Sequence, residues 1–169
     1  MSPTLQRDQA CDFAKRDPKK ALEKARAISD PWFRSQALAW VARYAEVGPI
    51  KIAREAAKAA SECDDDYKRT AVRAWFIAAL AERNHTAEAK RELWTAVSQS
   101  KKVTPLSSRA EALILLLQAA FQISVQDVRL VADELKSSCG RDLHWRSKRA
   151  VRDAWKLVEG ELKPRPFFW

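Results

Sequence analysis

Apolar residues recur at spacings of three and four along most of the chain, and each amphipathic run is bounded by proline, glycine or a small polar residue. This is the period of helices with one buried face. Asp17-Pro18 and Asp30-Pro31 each set a side-chain acceptor before a proline whose missing N–H would have been unpaired anyway, so each pair starts a helix. Gly48-Pro49 and Thr104-Pro105 act similarly, Asn84 and Ser124 are further caps, and Gly140 is a terminator. Between these stops the pattern predicts nine helices, over 5–16, 18–29, 31–47, 50–62, 66–83, 85–100, 106–122, 125–138 and 142–160. The connections are short, so successive helices must pack antiparallel as hairpins.

The segments also repeat. Arg34-Ser-Gln-Ala-Leu-Ala-Trp40 has a counterpart in Arg69-Thr-Ala-Val-Arg-Ala-Trp75, a third copy begins Arg109-Ala-Glu-Ala-Leu, and a weaker fourth is Arg146-Ser-Lys-Arg-Ala-Val. Offsets of about 35–40 residues belong to arrays of helical hairpins. From Ala37 the chain runs through Trp40, Val41, Tyr44, Gly48, Ala53, Ala57 and Ala60, which resembles the tetratricopeptide repeat pattern. Phe76, Ile77, Leu80, Asn84, Ala89, Leu93 and Ala96 keep that register, as do Leu115, Leu116, Ala119, Ile123, Val128, Ala132 and Leu135 approximately. HEAT-like hairpins of about 40 residues are the structural alternative.

The expected fold is therefore all-α, a right-handed α-solenoid of four antiparallel hairpins with a closing helix over 142–160. Residues 1–163 form one helical-repeat domain, and 164–169 form an aromatic C-terminal tail.

Composition narrows the function classes. Of 169 residues 29 are alanine and only three are glycine, too few for the tight turns of an all-β fold or for a glycine-rich phosphate loop. Alanine at helix contacts instead lets backbones approach closely. The formal net charge of +9, with a hydrophobic fraction of 47%, describes a folded basic protein and not a disordered basic tail. Such a charge favours encounter with nucleic acid or any acidic partner.

Two surfaces stand out as candidate sites. The tetratricopeptide resemblance implies that the first helix of each hairpin lines a concave groove, which in that register presents Leu38, Ala42, Ala74, Ala78, Leu113, Leu117 and Phe121. An apolar groove suits the apolar face of a partner helix or an extended segment; the alternative is that these residues pack against neighbouring helices. The second candidate is a basic face of the last helix, Arg141, Trp145, Arg149, Arg152 and Lys156, where cations interleave with an aromatic ring as nucleic acid binding requires. A solvated outer face is the competing reading there.

Of the tryptophans, Trp40, Trp75, Trp94 and Trp155 fall on apolar faces and read as core, while Trp32 and Trp145 read as contact residues. The C-terminal run Lys163-Pro-Arg-Pro-Phe-Phe-Trp169 is not helical, and its three consecutive aromatics call for docking, either back over the array or onto another protein or another copy.

No catalytic constellation is legible. Asp64-Asp65-Asp66 reads as a helix cap, and His85 and His144 have no nucleophile at a motif spacing. Cys11, Cys63 and Cys139 form no metal-ligand pattern, so neither metal nor cofactor is expected. The Ala110–Phe121 stretch is too short for a membrane span, and Met1–Lys20 has no continuous apolar run of the kind a secretory signal needs. The expectation is a cytoplasmic, non-enzymatic scaffold for a protein or peptide partner, with nucleic acid as the alternative partner and self-association through the tail as a further option.

Overall fold

A computed structural model of the chain describes residues 1–168. Those residues are all-α and contain no strand. The helices are α1 Pro3–Ala14, α2 Pro18–Arg26, α3 Pro31–Tyr44, α4 Pro49–Ser61, α5 Asp66–Ala71, α6 Arg73–Glu82, α7 Thr86–Ser100, α8 Leu106–Ala120, α9 Val125–Cys139 and α10 Trp145–Val158. The expected nine become ten because the helix over 66–83 is interrupted at Val72, whose amide bonds back to Lys68 while Trp75 N–H reaches the Val72 carbonyl. Next to this break Arg73 is turned inward, only 6% exposed, and donates to Glu92 at 2.9 Å, joining α6 to α7. Burial lowers the Arg73 pKa from its ordinary value, and Glu92 opposes that shift.

Several starts obey the capping chemistry, although α4, α6, α7 and α8 have no side-chain cap bond and α7 is preceded by His85, not Asn84. Asp17 accepts from Lys20 N–H at 3.0 Å, Asp30 from Trp32 N–H at 2.9 Å, and Asp65 from Lys68 N–H at 2.7 Å. Gly48 precedes Pro49 at φ +69, a left-handed conformation that only glycine adopts without strain. At Gly140 a Cβ would lie 2.4 Å from the Lys136 carbonyl oxygen, so the end of α9 also requires glycine.

Packing is sequential. α1·α2, α3·α4, α5/α6·α7 and α8·α9 pair as hairpins, and substantial contact otherwise runs only between adjacent hairpins. First helices contact the next first helix, α1 to α3 to α6 to α8 to α10. That arrangement is compatible with a solenoid. Alanines close the layers: Ala53, Ala56, Ala59 and Ala60 of α4 are buried, and the Ser35 hydroxyl of α3 reaches the Ala56 carbonyl at 3.0 Å. Leu113, Leu116 and Leu117 are fully buried on α8, each worth about 1.5–3 kcal/mol on transfer from water.

The repeated arginine has a structural cause. Arg34 donates to the Ile28 carbonyl at 2.8 Å, Arg69 to that of Cys63 at 2.7 Å, and Arg109 to that of Val103 at 3.2 Å. In these three hairpins the guanidinium reaches six residues back and satisfies carbonyls left unpaired after the preceding helix. The bond serves as a lock between rungs. Arg34 adds an ion pair to Glu62, and Arg109 a second bond to Lys101 O at 2.8 Å.

Candidate functional site

Six of the seven expected groove residues are core. Leu38, Ala42, Ala74, Ala78, Leu113 and Leu117 are at most 2% exposed, and Phe121 is half-buried against the same core. They offer no surface to a partner, which corrects the expectation. The reason is rotational: α3, α6 and α8 are each flanked by a hairpin partner and by the helices of both neighbouring rungs, so most of their circumference is covered. On α8 the stripe left partly open is Glu111, Ile114, Leu115 and Gln118, of which Ile114 and Gln118 stand one residue on from Leu113 and Leu117. One residue is about 100° of helix.

The open stripes of the first helices form an aromatic groove. Trp32 stacks near Tyr67 with ring centroids 6.3 Å apart and meets Trp75 edge-on at 6.0 Å. Together with Glu111, Ile114, Leu115, Gln118 and Arg149 these side chains line a cavity of about 480 Å³. Trp32 was expected to be a contact residue. Trp75 was expected to be core and is instead half-buried on the groove. Its signal lay in the repeat, because Trp40, Trp75 and Leu115 all stand six residues after the locking arginine.

The C-terminal tail lies in this groove. Arg165 N–H donates to Gln118 Oε1 at 2.8 Å, the Phe167 ring meets Trp75 edge-on at 5.5 Å, and Phe168 meets Trp40 edge-on at 5.2 Å. The Arg43 guanidinium covers Phe168 at 4.7 Å. The segment therefore runs from α8 past α6 to α3, and Phe168 is only 8% exposed. Trp169 lies outside the described residues. Burying Phe168 and about half of Phe167 favours docking by about 2–5 kcal/mol, and their edge-on pairings add about 1–3 kcal/mol. Ordering four residues costs about 4–8 kcal/mol. The two sides nearly cancel, so the tail is held without being locked.

The basic face is only partly assembled. Trp145, Arg149, Arg152 and Lys156 share one stripe of α10, but Arg141 precedes the helix, which begins at Trp145 and not at 142. Asp142 and His144 instead cap its start: Ser147 donates to Asp142 at 2.5 Å, and His144 Nδ1 accepts from Arg146 N–H at 3.2 Å. Arg149 pairs with Glu111 at 2.9 Å and Arg152 with Asp153 at 2.9 Å, so two of the four cations already face carboxylates. Trp145 stays open, 59% exposed, with the Arg149 and Arg146 guanidinium groups 5.0 and 5.5 Å from its ring.

The three cysteines are buried free thiols, and the acidic cluster is held in local contacts. Burial pushes the Cys11 thiol up to about 12 and the Cys63 thiol to about 11, which keeps both protonated at neutral pH. Asp64 pairs with Lys68 at 2.8 Å, and Asp65 caps α5. Among the described residues no helix is long and apolar enough to cross a membrane. No protein-family model, curated protein or solved structure matches the chain significantly.

Proposed function

We propose that the protein is a non-enzymatic scaffold of the tetratricopeptide-like kind, acting in the cytoplasm, which binds an extended segment of a partner protein along the aromatic groove of its first helices. One observation carries this reading: an extended proline-containing segment, residues 165–168, already lies there, its rings against Trp75 and Trp40. The groove thus accommodates a peptide backbone and takes aromatic side chains at equivalent positions of successive hairpins. Rings bury large area at low conformational cost, which suits such a surface to recognition. The test is capture from native extract after nuclease treatment. Leu115→Asp and Trp75→Ala are compared with Lys58→Ala, an exposed position on α4 away from the groove. Both groove variants should lose at least about tenfold of the captured partner, and undiminished capture would sink the reading.

Nucleic acid is the second reading, favoured by the exposed Trp145 between Arg146 and Arg149. It predicts binding that nuclease abolishes and that weakens steeply with salt. The pairing of Arg149 with Glu111 and of Arg152 with Asp153 makes it the weaker of the two.

A further inference from the structure

This inference rests on the groove reading above and concerns what the groove's partner looks like and how access to it is controlled. Four observations meet at residues 164–168. Pro164 and Pro166 have no N–H and keep the segment extended, leaving Arg165 to supply the N–H that bonds to Gln118 Oε1 at 2.8 Å. Phe167 and Phe168 are neighbours in sequence yet meet tryptophans on different hairpins, Trp75 of α6 and Trp40 of α3. Those tryptophans are equivalent in the repeat, each six residues after its locking arginine. Arg165 itself stays exposed and lines the cavity that also contains Glu111 and Asp153.

The tail therefore uses three successive rungs of the array, one chemical feature to a rung. It leaves the cavity bounded by Trp32, Tyr67, Ile114 and Leu115 open, with about 480 Å³ still available. An occupant longer than the tail would reach side chains of this cavity that the tail does not touch.

We propose that residues 164–168 are a built-in competitor for the groove, and that the partner displacing them has the same chemistry: an extended, proline-containing segment with an arginine followed closely by two adjacent aromatic residues. Binding of such a segment requires the tail to swing out, so the tail sets a threshold that weak ligands do not pass.

The probe is a fluorescently labelled peptide with the sequence of residues 163–168, Lys-Pro-Arg-Pro-Phe-Phe, titrated against the full chain and against the full-length double variant Phe167→Ala, Phe168→Ala. The variant, whose groove is vacated, should bind the peptide at least about tenfold more tightly than the unaltered chain does. Adding Trp75→Ala to the variant should remove that gain, and a peptide with both phenylalanines changed to alanine should not bind. Equal affinity for the two proteins, or no saturable binding to the variant, would overturn the proposal. Sedimentation of the unaltered chain is the second measurement. A monomer is expected, and a dimer that the double variant dissociates would mean that the tail occupies a second copy, which also overturns it. The two readings fail separately. If the double variant gains nothing while Leu115→Asp still abolishes partner capture, only the competitor is lost; if Leu115→Asp leaves capture intact, the groove itself is wrong.

Discussion

Leu113 and Leu115 stand two residues apart on α8, are the same amino acid, and have opposite surroundings. Leu113 is fully enclosed, whereas Leu115 is half-buried and lines the aromatic groove. The same division runs through the array, with Ala74 inside and Trp75 at the groove, and Ala42 inside and Arg43 over Phe168. Hydrophobicity does not distinguish Leu113 from Leu115, or Ala74 from Trp75. Enclosure does, because a first helix in the middle of the array has a hairpin partner and two neighbouring rungs, and only the side turned away from all three stays open. A recognition surface in such a molecule is therefore a narrow strip beside the core, in which apolar residues such as Trp75 and Leu115 alternate with polar ones such as Glu111 and Gln118.

Substitution should separate the stripes most strongly. Leu113→Asp places an unpaired carboxylate in a dry core and should cost about 4 kcal/mol or more, read as loss of the cooperative denaturant transition or a large fall in its midpoint. Leu115→Asp should cost about 1 kcal/mol, since water reaches that position. Similar losses at the two positions would erase the distinction between core and groove.

The rungs provide the next contrast. Arg34→Ala removes bonds to the Ile28 and Ser29 carbonyls and the ion pair to Glu62, and should cost about 1–3 kcal/mol. Arg146, the fourth repeat arginine, instead lies over the exposed Trp145 ring, so Arg146→Ala should stay within about 0.5 kcal/mol. Urea titration of the two variants side by side measures the difference, and equal effects would mean that the rung lock is not what the repeat preserves.

A smaller effect is expected at the tail. Gln118→Ala deletes the acceptor of the Arg165 N–H, so exchange of that amide with solvent should accelerate at least about tenfold. Global stability should shift by no more than about 1 kcal/mol, since only a docked segment is loosened. If the Arg165 amide exchanges equally fast in both proteins, the tail contact does not persist in solution.

The smallest response should be to pH. The Ser147 hydroxyl holds the Asp142 carboxyl below its ordinary value of 3.8 at the start of α10. A carboxylate lowered on folding stabilises above its unfolded pKa and loses that contribution as pH falls through the folded value. Fraying of α10 should therefore begin only below about pH 4, followed by the amide signals of Ser147 and Lys148. Asp142→Asn should abolish that dependence and, by removing the ionised acceptor of Ser147, should also lower the stability of α10 at pH 7.

Much of the fold was readable because helix starts are local chemistry. Asp17, Asp30 and Gly48 each act on backbone within a turn of themselves, so the start of each helix they precede follows from a few residues. The break at Val72 was not readable, because there the inward turn of Arg73 is completed by Glu92, nineteen residues away. The candidate site was half legible. Trp32 and Trp145 were read as candidates for exposed contact, and Trp32 lines the groove while Trp145 stays open on α10; the tail was recognised as a segment that must dock. The groove was placed one residue out of phase, since a run such as Ala-Leu-Ile-Leu-Leu-Leu, 112–117, is apolar on every side and its period does not say which side is closed.

By itself the sequence determined that this chain is helical, where most of its helices begin, and that an arginine recurs in three hairpins and in the closing helix, because those properties depend on groups only a few residues apart. Tertiary structure decided which stripe of each first helix remains open, that Trp75 faces a groove, and that the tail lies in it. The physical reason is that exposure belongs to neighbours in space: a helix carries its period in its own residues, but the surface left uncovered is set by what packs around it.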